Sequence, residues 1–181
     1  MKIKILLFVL LAMFQFAQAQ KFVSKNGHIK FYSHAPVEDI EAHNNQVVSI
    51  IDPATGDLAF NLLIKAFEFK KALMQEHFNE NYMESDKYPK SSFKGKITNL
   101  DKISFEQDGV YKAEVSGDLT IHNVTKPVTV KGTIEVKGGS VTASAKLIVS
   151  PKDYDIAIPS VVENNIAKEI EVSLDATYTV N

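Results

Sequence analysis

The feature that most constrains this chain is a two-residue alternation. Along residues 111–121 every second position, Tyr111, Ala113, Val115, Gly117, Leu119 and Ile121, is apolar or glycine, while Lys112, Glu114, Ser116, Asp118 and Thr120 fall between them. A helix would scatter that pattern around its circumference; a strand gathers it on one face. The pattern recurs along the chain. Ile29, Phe31, Ser33 and Ala35 share a parity against Lys30, Tyr32 and His34, and Leu58, Phe60, Leu62 and Ile64 do so after the turn residues of "DPATGD". Phe93 to Ile97, Val128 to Val136, Val141 to Val149 and Ile170 to Tyr178 repeat it, and a less regular strand around Gln46–Ile51 brings the count to about eight.

Short connections make these strands mostly antiparallel, and one apolar face per strand means a sheet that is wet on one side only. Closing the sheet on itself removes its edges and turns every apolar face inward. The expected fold class is therefore all-β, mainly antiparallel, a barrel of about eight strands. At that size the lumen is either filled by side chains or holds one small elongated ligand. Two further details are expected: a hairpin turn at Asp108-Gly109, and a bend or bulge at Gly117.

One segment breaks the alternation. In "FEFKKALMQEHFNENYMESDKYP", residues 67–89, Phe69, Leu73, Met74, His77 and Phe78 fall at three- and four-residue steps, with Lys70, Lys71, Gln75 and Glu76 between them. That spacing predicts one short helix between the third and fourth strands, ended by Tyr88-Pro89. Spacing alone reads most simply as a cap on one barrel end. Its phenylalanines and methionines also suit a lid, since such side chains adapt to irregular apolar ligands.

The first nineteen residues, "MKIKILLFVLLAMFQFAQA", carry Lys2 and Lys4, an apolar run from Ile5 to Phe14, and the small-x-small triplet Ala17-Gln18-Ala19. They read as a secretory signal peptide cut after Ala19, which makes the expected location periplasmic or secreted and bacterial, with residues 20–181 forming a single barrel domain. The run is shorter than the roughly 20 apolar residues needed to span a bilayer, and no later segment is apolar enough to do so.

An exported chain without cysteine must be held by burial alone, which removes disulfide-scaffold and zinc-thiolate readings. All 20 basic residues are lysines, so no bidentate guanidinium fork is available for phosphate or carboxylate. The net charge is −2, more negative once the two leader lysines are removed, and such a surface does not invite nucleic acid.

The stretch "LTIHNVTKPVTV", residues 119–130, sets a polar knot between two apolar runs. His122 has no cysteine and no serine elbow to activate, and its parity opposes that of Leu119 and Ile121, so it reads as an outward residue at a strand end. Asn123-Val124-Thr125 matches the glycosylation acceptor pattern but reads more simply as a turn that tolerates the left-handed region, with Pro127 setting the exit. A metal site would require His28, His34 and His43 to converge; their spacing gives no local ligand pair. No catalytic residue, metal ligand or cofactor is expected.

The same stretch resembles the hallmark of the YceI-like family, a leucine-threonine strand running into a Gly-Val-Thr-Lys/Arg-Pro-Val turn, with Asn123 here where glycine is usual. "KYPKSSFKG", residues 87–95, is similar to the strand start that follows the family's helix, and "DYDIAIP", residues 153–159, to the approach to its last strand. The resemblance implies a lipocalin-like barrel in the periplasm whose lumen holds an isoprenoid or related lipid, with any charged head near the mouth, where Lys65, Lys70, Lys71 or Lys126 would meet it. "SHAPVEDIEAHNN", residues 33–45, resembles a branch of the family whose ligand need not be the same.

The expected function is thus a non-enzymatic, exported binder of a long apolar lipid. The expected lipid-binding residues are Phe31, Phe60, Leu62, Phe69, Leu73, Met74, Phe78, Phe93, Leu119, Ile121, Val128 and Val130. Expected partners are an isoprenoid or other long-chain lipid and a second copy of the chain in a homodimer. Two rivals stand beside this reading: a small periplasmic enzyme using the lumen as a substrate pocket, and a side-chain-filled barrel acting as a scaffold for another envelope protein.

Overall fold

The computed structural model describes residues 20–180, so the expected signal peptide, Met1–Ala19, lies outside the described residues. The strands are β1 Phe22–His34, β2 Asp39–Ile51, β3 Asp57–Leu63, β4 Glu68–Phe69, β5 Lys90–Ile97, β6 Gly109–Ile121, β7 Val124–Lys137, β8 Ser140–Val149 and β9 Ile170–Val180. All pairings are antiparallel, in the order β1-β9-β8-β7-β6-β5-β3-β2, and β1 pairs back onto β2 to close an eight-stranded barrel. The two-residue β4 pairs with β2 beyond the stretch that β3 covers, Phe69 opposite Ala42 and Glu68 opposite His43. The short helix α1, Ala72–His77, consequently follows β4, not the third strand as expected, and runs into one wide turn at Phe78–Tyr82. A strand of two residues is too short to show any period.

β1 and β2 are longer than their sequence pattern suggests because the pairing slips at Gly27, where the register shifts against both β2 and β9. A bulge there flips the parity between Ser24 and Ile29 and hides the strand. Gly117, by contrast, sits in unbroken register opposite Gly95. A Cβ on Gly117 would lie 2.3 Å from the Lys94 carbonyl oxygen and 2.8 Å from the Phe93 ring, so this glycine answers to a close approach under that ring. Asp108-Gly109 is no hairpin: residues 98–108 form a longer connection with a short helical turn at Leu100–Lys102, and Gly109 starts β6. The two-residue hairpin lies at His122-Asn123, both left-handed with φ of 51° and 62°, as a type I′ turn demands. Pro127 lies within β7, opposite Asp118, on a stretch that β8 does not reach, so its missing N–H breaks no ladder.

The barrel interior has two zones. At the end where β1 and β3 begin and β2 and β5 finish, Phe22, Ile51, Leu58, Ile97, Ala113, Ile134, Val136, Val141, Ala176 and Tyr178 pack into a buried cluster, with Leu100, Ile103 and Phe105 of the β5–β6 connection against it. Tyr178 is 2% exposed and shares a 2.7 Å hydrogen bond with Ser49 Oγ. Burial pushes its phenol up to about 12, opposed only by that hydrogen bond. The other end is not filled.

Candidate functional site

A cavity of about 500 Å³ occupies the unfilled end, walled by inward positions of the strands and covered by two segments that leave the sheet. The first cover is the stretch from Ile64 to Met83. Phe67, Phe69 and Phe78 close around Phe31 of β1, with ring centroids 5.4, 5.7 and 5.5 Å from it. Those offset and edge contacts add to the area buried and dock the segment on the wall. Its exposed ties are Lys71 to Glu38 at 2.7 Å and Lys65 to Asp86 at 2.6 Å. The second cover is residues 150–169, from which Pro151, Ile156, Ile158, Val162, Asn165 and Ile166 reach the cavity. Ser33, 1% exposed, holds this cover by accepting the Ala167 N–H at 2.9 Å.

Of the residues expected to meet ligand, Phe31, Phe60, Leu62, Phe69, Met74, Phe78, Phe93, Leu119, Ile121 and Val130 line this one cavity. Leu73 and Val128 do not. Leu73 is 61% exposed because α1 begins only at Ala72, with Phe69 in β4, so the inward stripe runs through Met74 and Phe78 and turns Leu73 about 100° away. Val128 is half-buried on β7 opposite Gly117 and is not part of the lining. Sequence reasoning missed the second cover altogether. Its one signal was the alternation of Ile156 and Ile158 inside "DYDIAIP".

The lysines expected near a head group do not line the cavity. Lys65 and Lys71 are held by acids, and Lys70 and Lys126 are exposed. Glu38, in the turn between β1 and β2, does line it, as does His77.

His122 is not simply outward. Its Nδ1 lies 3.2 Å from the Tyr154 carbonyl oxygen, its ring meets Tyr88 edge-on with centroids 4.5 Å apart, and its Nε2 is 3.7 Å from Glu84 Oε2. The hairpin tip therefore ties the second cover to residues 84–88, which follow the first. Tyr154 beneath it is 3% exposed, and burial first, then the neighbouring Asp153, raises its phenol above the usual range. Two of the histidines weighed as metal ligands do meet: His28 Nε2 is 3.0 Å from His43 Nδ1, and His43 Nε2 is 3.0 Å from Glu41 Oε1. The ring centroids are 5.2 Å apart with planes 20° from parallel, so the two nitrogens face each other in line. That is the geometry of a shared proton, whereas chelation needs lone pairs converging on a third point. His34 bonds Asp39 instead, and among the described residues no group of three or more His, Asp or Glu is arranged to hold a metal.

Fold and site together define a lipocalin-like antiparallel barrel, sealed at one end and carrying an apolar cavity at the other. The chain belongs to the YceI-like family, whose domain it matches over residues 16–178. Its fold is similar to that of a polyisoprenoid binding domain from Saccharophagus degradans, with a TM-score of 0.77 and 12% identity over 90% of this chain and 99% of that one. Burkholderia cenocepacia BcnA gives a TM-score of 0.71 and 17% identity over 84% and 96% of the two chains. A YceI protein from Campylobacter jejuni gives 0.61 and 16% over 82% and 88%. At these identities the likeness is one of fold. A comparison with curated proteins finds no match.

Proposed function

We propose that the chain is an exported, non-enzymatic binding protein that holds an apolar lipid of the isoprenoid type in its lumen. The observation that carries this reading is the cavity itself: about 500 Å³, walled mostly by Phe, Ile, Leu, Val and Met, inside a barrel whose far end is packed solid. Taking a water's share of liquid volume, about 30 Å³, as the yardstick for one heavy atom, the cavity holds on the order of 15 to 20 carbons. At about 0.8 kcal/mol per buried methylene, fifteen carbons gain about 12 kcal/mol before the costs of association and chain ordering. A longer chain would extend past the covers. The Saccharophagus domain, described as polyisoprenoid binding, is in keeping with this ligand class.

The scaffold reading accounts for the sealed end but not for the open one. The enzyme reading needs a convergent polar pair in the lumen. Glu38 is engaged by Lys71, and His77 has no side-chain hydrogen-bond partner among the described residues. Native mass spectrometry of protein purified gently from its own host, followed by organic extraction, tests the proposal. A stoichiometric lipid is the expected result. An empty lumen that also takes up no added prenyl lipid would sink it.

A further inference from the structure

The charge around the cavity carries a reading of the ligand's head, and it rests on the lipid-binding proposal above. The head of an amphipathic lipid stops at the mouth, where it keeps part of its water. Apart from Tyr82, the titratable side chains lining the cavity are Glu38 and His77, and among the described residues no lysine lines it. Glu38 Oε1 accepts from Lys71 Nζ at 2.7 Å, which ties up that cation, while Oε2 takes no donor among the described residues. The carboxylate is about a quarter exposed, at 28%, so it is neither fully solvated nor sealed away. A phosphate or carboxylate head would set its own charge against this fixed negative group with no lysine in the wall to offset it, and like charges brought together at a partly desolvated contact are costly. A hydroxyl or amide N–H instead finds an acceptor there. The geometry points to a hydrogen-bond donor without negative charge as the ligand's head, such as a primary alcohol or amide on an apolar chain, with Glu38 as the residue that disfavours phosphorylated heads.

Farnesol, farnesyl diphosphate and farnesylamine share one tail and differ in head, so their competition for the intact chain against a fluorescent apolar probe isolates the head. Farnesol should bind at least about tenfold more tightly than the diphosphate, the ratio that one unfavourable charge contact readily supplies. In Glu38→Gln, with folding checked by circular dichroism, that ratio should fall at least about threefold, since the repulsion is removed and the shape kept. Equal or tighter binding of the diphosphate than of farnesol by the natural chain overturns the inference without touching the lipid-binding proposal, and so does a ratio unmoved by E38Q. The comparison in the natural chain stands whether or not the variant folds. Binding of none of the three overturns the lipid-binding proposal and this inference with it.

Discussion

His122 sits where three pieces of the chain meet. Its left-handed backbone and that of Asn123 are what a type I′ turn needs, and asparagine and histidine tolerate that region better than most residues. The turn was therefore legible from "HN" between two alternating runs. The partners were not, because Tyr88 and Tyr154 stand more than thirty residues away on either side and reach the turn only through tertiary packing. Replacing His122 with Ala strips the Tyr154 carbonyl of its donor and the Tyr88 ring of its edge contact. We expect a loss of about 1–3 kcal/mol, the usual cost of leaving a buried polar group unpaired. Hydrogen exchange should rise together in residues 84–88 and 151–156 while β6 and β7 stay protected below the turn; exchange confined to one of the two segments would contradict the tie.

At the scale of elements, the cover formed by β4, α1 and the wide turn shows both the reach and the limit of periodicity. A three- and four-residue apolar spacing announced a helix, and a helix is there. Counting the stripe from Phe69 placed Leu73 inward, but Phe69 belongs to a two-residue strand, and the helical phase starts three residues later. The two neighbours, Leu73 and Met74, thus make a paired test. Leu73→Ser, on a side chain 61% exposed, should change stability by no more than about 0.5 kcal/mol and leave lipid uptake as it was. Met74→Ser puts a hydroxyl into the apolar wall and should weaken uptake of a prenyl alcohol by about tenfold, one unpaired polar group at about 1–2 kcal/mol. Titration of the two variants side by side checks this; the reverse order would mean that the helix is turned differently. The second cover had no element to announce it: residues 150–169 carry only short helical turns, and their inward residues follow no sustained period.

For the whole molecule, alternation carried the barrel because each strand has one dry face, and closure follows from the need to hide eight such faces at once. Alternation does not encode depth, and so the division into a packed end and an open end was invisible. Val136, Val141 and Tyr178 have the same inward parity as Val130, Leu147 and Leu174, yet the first three seal the barrel and the last three line the cavity. The seal should reveal itself at high pH. The Tyr178 phenol is raised to about 12 from 10.0, so the unfolded chain ionises first; stability is fully present below pH 10 and is lost as pH rises from 10 through 12. Two units amount to about 2–3 kcal/mol, and Tyr178→Phe should remove that loss while sacrificing the Ser49 hydrogen bond at neutral pH. Alkaline denaturation monitored by far-ultraviolet circular dichroism checks it, and identical alkaline profiles for the two chains would deny the buried phenol.

Where the ligand sits decides whether the lumen is the binding site. Ala145, on β8, lines the cavity between Gly132 and Leu174, and a larger side chain there takes up lumen. Overpacking of this kind costs about 1–3 kcal/mol, which leaves the barrel folded where its reserve is ordinary. Native mass spectrometry of both chains after incubation with one prenyl alcohol is the most direct measurement. One lipid per natural chain and none, or nearly none, on folded Ala145→Phe is the predicted result. Equal occupancy of the two, or no lipid on either, would contradict a lumenal site.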